Sequence, residues 1–195
     1  LGYSLGMLIV FKYSGFIVEN VNMLLNMAGM SAQLPSVEPA LPLGISFYTF
    51  QVCSYLIDVY RGTIQAERSL FRLMGYVCMF PQLLSGPLIR YGKLMREWKD
   101  RVHSMDGLEE GLRIFTAGLG MKVLIANQVG NLWRQTWTIG FESISTPMAW
   151  LGLLAYTLQI YFDFYGYSLM ASGLGRVMGF HFPDNFRQPY LSVSM

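Results

Sequence analysis

Long stretches without Asp, Glu, Lys or Arg set the pattern of this chain. Each predicts a helix, because about 20 mostly apolar residues carry a helix across a hydrocarbon core. Pro39 to Ile57 and Ser143 to Phe162 are two such stretches. Leu73 to Ile89 is shorter and broken by Pro81 and Pro87, Leu1 to Leu25 contains Lys12 and Glu19, and Ile114 to Trp133 contains Lys122. Gln, Asn, Ser, Thr and Tyr recur inside the runs, which suits a bundle with a polar interior better than lipid-facing anchors. From Ser143 to Gly175 the only charge is Asp163, and the stretch is longer than one straight span requires. YFDFYGYS (161–168) lies near its middle and makes Gly166 the expected weak point. Gly173, Gly175 and Gly179 loosen its far end, and the segment GFHFPDNFRQPY (179–190) reads as a Pro-containing irregular connection.

Between the apolar runs lies one charged patch. Arg90, Lys93, Arg96, Lys99 and Arg101 outnumber Glu97 and Asp100 there, so the positive-inside rule puts residues 90–101 in the cytoplasm. Tyr91, Leu94, Met95 and Trp98 fall at i, i+3, i+4 and i+7, the pattern of an amphipathic helix lying in the membrane interface. Asp106 and Glu109 are spaced as a capping box that starts the next helix. Pro42 fits the first turn of a helix, where a missing N–H is harmless. In FPQLLSGPLIR (80–90), prolines inside an apolar run predict a re-entrant or broken helix.

Composition sharpens this picture. The chain has 195 residues, 53% of them hydrophobic and 13% charged, about half the charge of an ordinary soluble domain. The expected fold is therefore all-α: a polytopic membrane helix bundle with broken or re-entrant helices and an interfacial amphipathic helix, residues 1–195 forming one membrane domain. A net charge of +2 leaves no basic footprint for nucleic acid. Cys53 and Cys78 lie in apolar runs and are expected to be buried free thiols; they do not make a zinc site. The chain opens in an apolar run without the basic region and cleavage site of a signal peptide. It stops at Met195 soon after a Pro-Tyr loop, so truncation at both ends is expected.

For chemistry, Asp163 comes first, since an ionisable group inside a membrane is costly and marks a functional site by default. It reads either as a polar lining group of a substrate path or as a structural acceptor that ties neighbouring helices. His103 and His181 have no Asp, Glu, Ser or Cys at the spacing of a nucleophile and base pair. No HExxH, GxSxG or GxxxxGK[ST] motif occurs. On these features alone an enzyme, a transporter or channel segment and a structural membrane module all remain open.

Four ordered motifs decide between them. LPLGISFYTFQVCSYLIDVYRG (41–62), FPQLLSGPLIR (80–90), LQIYFDFYGYSLMASGLGRVMGF (158–180) and FPDNFRQPYLS (182–192) closely resemble the membrane-bound O-acyltransferases (MBOAT). The likeness is to the branches that acetylate alginate and D-alanylate teichoic acid. It implies a bacterial inner-membrane, multi-pass enzyme of which this chain is the central part. The acyl donor would be a cytoplasmic thioester such as acetyl-CoA or a carrier-protein thioester, with no bound cofactor and no metal. The acceptor would be an extracytoplasmic polysaccharide or an acyl-relay protein. The family's essential histidine sits in an FWRRWH-type motif about a dozen residues after the Pro-Tyr loop, beyond Met195. The aspartate motif, often DFSGYSDMA in alginate-type members, here reads DFYGYSLMA, with Tyr165 and Leu169 at the variable places. What this chain would supply is a substrate path. Gln159, Asp163, Tyr167 and Ser168 recur at i, i+4, i+8 and i+9, the first three on one helix face, and Asn185 would close one end.

Overall fold

The computed structural model describes residues 1–30, 33–35, 39–81, 86–140, 142–183, 185, 186 and 190, and all regular structure among them is helical. The chain divides into two compact units, Leu1–Met79 and Phe80–Met195.

The first unit holds α1 (Gly2–Met27), α2 (Ile45–Tyr60) and α3 (Leu70–Val77). Among the described helices, only α1 is both long and apolar enough to cross a membrane by length and composition. It buries Leu8 alone, so its apolar surface is left for lipid or other protein. Lys12 Nζ reaches Ser46 Oγ of α2 at 3.4 Å. The side chain of Asn22 brackets Leu34, accepting from its N–H at 2.8 Å and donating to its carbonyl at 3.0 Å. The apolar run at Pro39–Ile57 becomes helical only from Ile45. Pro42 precedes the helix instead of entering its first turn, because Gly44 turns the backbone at φ +72°, a conformation glycine adopts without steric cost. Buried Gln51 donates to the Tyr76 carbonyl at 2.9 Å, tying α2 to α3. Cys53 is buried as expected, but Cys78 is exposed at the end of α3.

The second unit is built on a long antiparallel pair. One partner runs from Ser104 through α5 (Met105–Gly120), a π turn (Met121–Ala126) and α6 (Asn127–Ile139); the other is α7 (Thr146–Val177). Gly140, at φ +87°, ends α6, and Pro147 stands in the first turn of α7. Ser104 caps α5, its Oγ accepting from the Gly107 N–H at 3.0 Å. Asp106 therefore lies inside the first turn, and the Asp106/Glu109 capping box is not formed.

The 32 residues of α7 form one unbroken helix, about 48 Å long at 1.5 Å per residue. The expected weakness at Gly166 is absent because its missing side chain serves close approach. A Cβ on Gly166 would stand 2.7 Å from the Gly118 carbonyl oxygen, and one on Gly118 2.5 Å from the Gly166 oxygen. Gly111 and Gly173 repeat the arrangement, at 2.7 and 2.6 Å. These glycines let two backbones touch, as in membrane helix pairs. Further along, Gly130 faces Gln159 and Gly152 faces Thr136. Gly118 to Gly130 covers twelve positions of one partner while Gly166 to Gln159 covers seven of the other. The i→i+5 bonding of the π turn takes up part of that excess.

The charged patch forms α4 (Tyr91–Lys99), with the predicted helical register. Its apolar face, however, meets protein. Leu94 is wholly buried and Tyr91 nearly so, which removes both from an interfacial role, while Trp98 stands edge-on to Phe180 at 5.9 Å. The segment after α7 is thus clamped to α4. Phe180 is buried, Arg101 lies over its ring at 5.5 Å, and Glu97 accepts from the His181 backbone N–H at 3.2 Å. Residues 82–85, the centre of the expected re-entrant segment, lie outside the described residues. Pro81, Gly86 and Pro87 on either side are buried in non-helical backbone.

Candidate functional site

The site grows from two lone charges of opposite sign. Lys122 is the single charge between Arg113 and Arg134, and Asp163 the single charge between Glu142 and Arg176. The antiparallel register brings them together. The Lys122 ammonium donates to Asp163 Oδ1, from the second residue of the π turn to the middle of α7. Such wide turns occur mostly as single insertions in α-helices and often at functional sites. Both side chains remain partly open, 37% exposed for Lys122 and 50% for Asp163. An ammonium has three donors and a carboxylate about four acceptor positions, so one bond between them leaves capacity for a ligand.

One helical turn away, the half-buried Gln159 lies against Gly130, whose missing Cβ would fall 2.8 Å from Gln159 Cδ. Its buried Oε1 has no hydrogen-bond partner, an acceptor that a donor from a substrate or neighbouring segment would satisfy. Tyr167, one turn on the other side of Asp163, is also half-buried. Gln159, Asp163 and Tyr167 thus share a flank of α7. Ser168 does not: it is buried with Gly166 and Ala171, about 140° round the helix from Asp163 at 3.6 residues per turn.

Asn185 is exposed, and the described residues near it, Phe186 and Tyr190, meet a different flank of α7. Phe186 beside it stands edge-on to Phe164 and Tyr165 at 5.9 and 6.1 Å. Tyr190 packs on Tyr161 at 5.7 Å and donates to the Thr157 carbonyl at 3.1 Å. The structure therefore gathers Gln159, Asp163 and Tyr167, with Lys122 added, and sets Ser168 and Asn185 apart. A sequence signal for Lys122 existed: a solitary cation in one apolar run matched a solitary anion in another.

A second ion pair crosses the same two helices nearer their other end, where Arg176 Nη2 lies 2.6 Å from Glu110 Oε2. His103 is exposed on the link between α4 and α5, and His181 Nδ1 lies 3.4 Å from Glu97 Oε2. Among the described residues, no three His, Cys, Asp or Glu side chains gather to hold a metal ion.

The sequence profile of the MBOAT, membrane-bound O-acyltransferase, family matches residues 66–193. A probable alginate O-acetylase, AlgI, of Pseudomonas putida is 42% identical over 194 residues, covering 100% of this chain and 39% of the relative. A peptidoglycan O-acetyltransferase of Helicobacter pylori is 30% identical over 215 residues, covering 95% of this chain and 39% of that protein. A teichoic acid D-alanyltransferase of Bacillus subtilis is 28% identical over 158 residues, or 78% of this chain and 39% of its own length. The chain thus spans about 39% of the length of these curated relatives.

Proposed function

Because the chain belongs to the membrane-bound O-acyltransferase family, we propose that it is the central part of a multi-pass inner-membrane O-acetyltransferase. The acceptor hydroxyl oxygen attacks the thioester carbonyl carbon, a base takes the hydroxyl proton, and the thiolate leaves. The donor thioester is cytoplasmic, acetyl-CoA or an acylated carrier protein, and the acceptor is an extracytoplasmic polysaccharide or a relay protein. The base is a histidine of the full-length protein beyond Met195. This chain contributes polar lining to the path between the two sides. The observation that carries the reading is the open-sided Lys122–Asp163 pair, which joins the π turn to the middle of the 32-residue α7. Identity of 42% to alginate O-acetylases against 28% to teichoic acid D-alanyltransferases supports acetyl as the group transferred.

Asp163→Asn in the full-length enzyme tests this reading. The amide keeps size and one acceptor oxygen but loses the charge, so acyl transfer falls at least about tenfold while the amount of folded protein in the membrane stays nearly unchanged. Parallel losses of activity and folded protein would instead make Asp163 a structural tie.

The orientation has its own test. With residues 90–101 cytoplasmic, a cysteine at exposed Lys99 reacts with an impermeant thiol reagent only after the inner membrane is opened, in a background lacking Cys53 and Cys78. Labelling of intact spheroplasts from outside would reverse the orientation.

A further inference from the structure

The π turn does more than interrupt a helix. It begins at Met121, directly after the Gly118–Gly166 contact, and a Cβ on Gly166 would fall 3.2 Å from the Lys122 backbone nitrogen and 3.4 Å from Lys122 Cβ. The Lys122 backbone is therefore pressed against α7 at Gly166, three residues beyond Asp163, and its side chain runs back along α7 to reach the carboxylate. The pair does not join the helices by itself. The Gly111–Gly173 and Gly118–Gly166 contacts and the Glu110–Arg176 bridge join them as well. Nor is it sealed in the packing, since half of the Asp163 side chain and 37% of that of Lys122 stay open. A charge pair inside a membrane protein that neither closes the packing nor carries the helix contact alone is placed for something that approaches it.

We propose that Lys122 is a positioning residue of the acyl path, holding the Asp163 carboxylate in the orientation that the passing acyl donor or acceptor meets. The π turn is the device that delivers it. This rests on the reading of Asp163 as a path-lining group. A positioned group lowers the barrier by holding geometry before the reaction, so its loss shows in kcat more than in KM.

The full-length enzyme reconstituted in liposomes, with acetyl-CoA as donor and a polysaccharide acceptor, provides the test. Lys122→Met is expected to lower kcat at least about tenfold with KM for the donor changed by less than about threefold. Lys122→Arg, which keeps the cation, restores kcat to within about threefold of wild type. The exchanged pair, Lys122→Asp with Asp163→Lys, folds like wild type but stays as inactive as Lys122→Met. Wild-type kcat in Lys122→Met beside an inactive Asp163→Asn would overturn the role of Lys122 and leave the path reading standing; an active Asp163→Asn would remove the path reading itself. An active exchanged pair would show a structural tie. If Lys122→Met fails to accumulate, the two variants that keep a pair decide. An active arginine variant with an inactive exchange supports the proposal, and any other combination overturns it.

Discussion

Replacing a histidine shortly beyond Met195 by alanine in the full-length enzyme is expected to cost roughly 10²- to 10⁴-fold in acyl transfer, the usual contribution of a general base. His103→Ala and His181→Ala are expected to keep most of the activity. Transfer at neutral pH needs a group whose protonation changes near the working pH, and histidine is the side chain suited to it. Neither histidine of this chain is placed for the task. His103 is exposed between α4 and α5. His181 is committed to Glu97, through its backbone N–H at 3.2 Å and its Nδ1 at 3.4 Å. It follows the end of α7, and the helix from Asp163 to Val177 alone spans about 21 Å. Residues 1–195 alone are accordingly expected to show no transfer. Donor-dependent acetylation of a polysaccharide by this chain in liposomes would refute the expectation and make His181 the nearest candidate base.

Two glycines two positions apart are expected to respond to alanine with opposite signs. At Gly118 a Cβ would lie 2.5 Å from the Gly166 oxygen and 2.8 Å from the Met170 nitrogen. Both are backbone atoms of a continuous helix and cannot swing aside, so accommodating the methyl group means forcing α5 from α7. That costs about 2 to 3 kcal/mol of overpacking, more than the helix-propensity gain of about 1 kcal/mol returns. At Gly120, among the described residues, no atom outside its chain neighbours and its own helix backbone lies within 4 Å of the added carbon, and the propensity gain of about 1 kcal/mol stands alone. Thermal unfolding of the purified full-length variants should show a lower midpoint for Gly118→Ala and a higher one for Gly120→Ala. Equal shifts in the same direction would mean that the glycine seam does not limit the approach of the two helices.

What is legible in the sequence follows from what local pattern encodes. The register of α4 was readable because Tyr91, Leu94, Met95 and Trp98 repeat at the helical period, and periodicity survives whatever the face packs against. What covers that face was not readable. An apolar stripe beside five cations reads as interfacial, and only the fold shows that Leu94 is buried and that Trp98 meets Phe180 of the chain on its return from α7. The cap of α5 is Ser104, two residues before the Asp106 that the spacing predicts, because both are good caps and local competition between them leaves no trace in composition.

By itself, the sequence determined that this is a membrane-family chain of helices, since low charge is a matter of composition and long apolar runs and four ordered motifs are matters of residue order. It also marked Asp163, because a lone charge in an apolar run is conspicuous without any structure. The tertiary structure alone decided that α7 stays unbroken, that Gly166 serves contact instead of a bend, that Ser168 and Asn185 stand apart from Gln159 and Asp163, and that Lys122 is the partner of Asp163. Each of these depends on which residues face one another across two antiparallel helices. That register is set by glycines admitting backbone against backbone and by a π turn that shifts the residues beyond it, a property of pairs distant in the chain that neither run carries on its own.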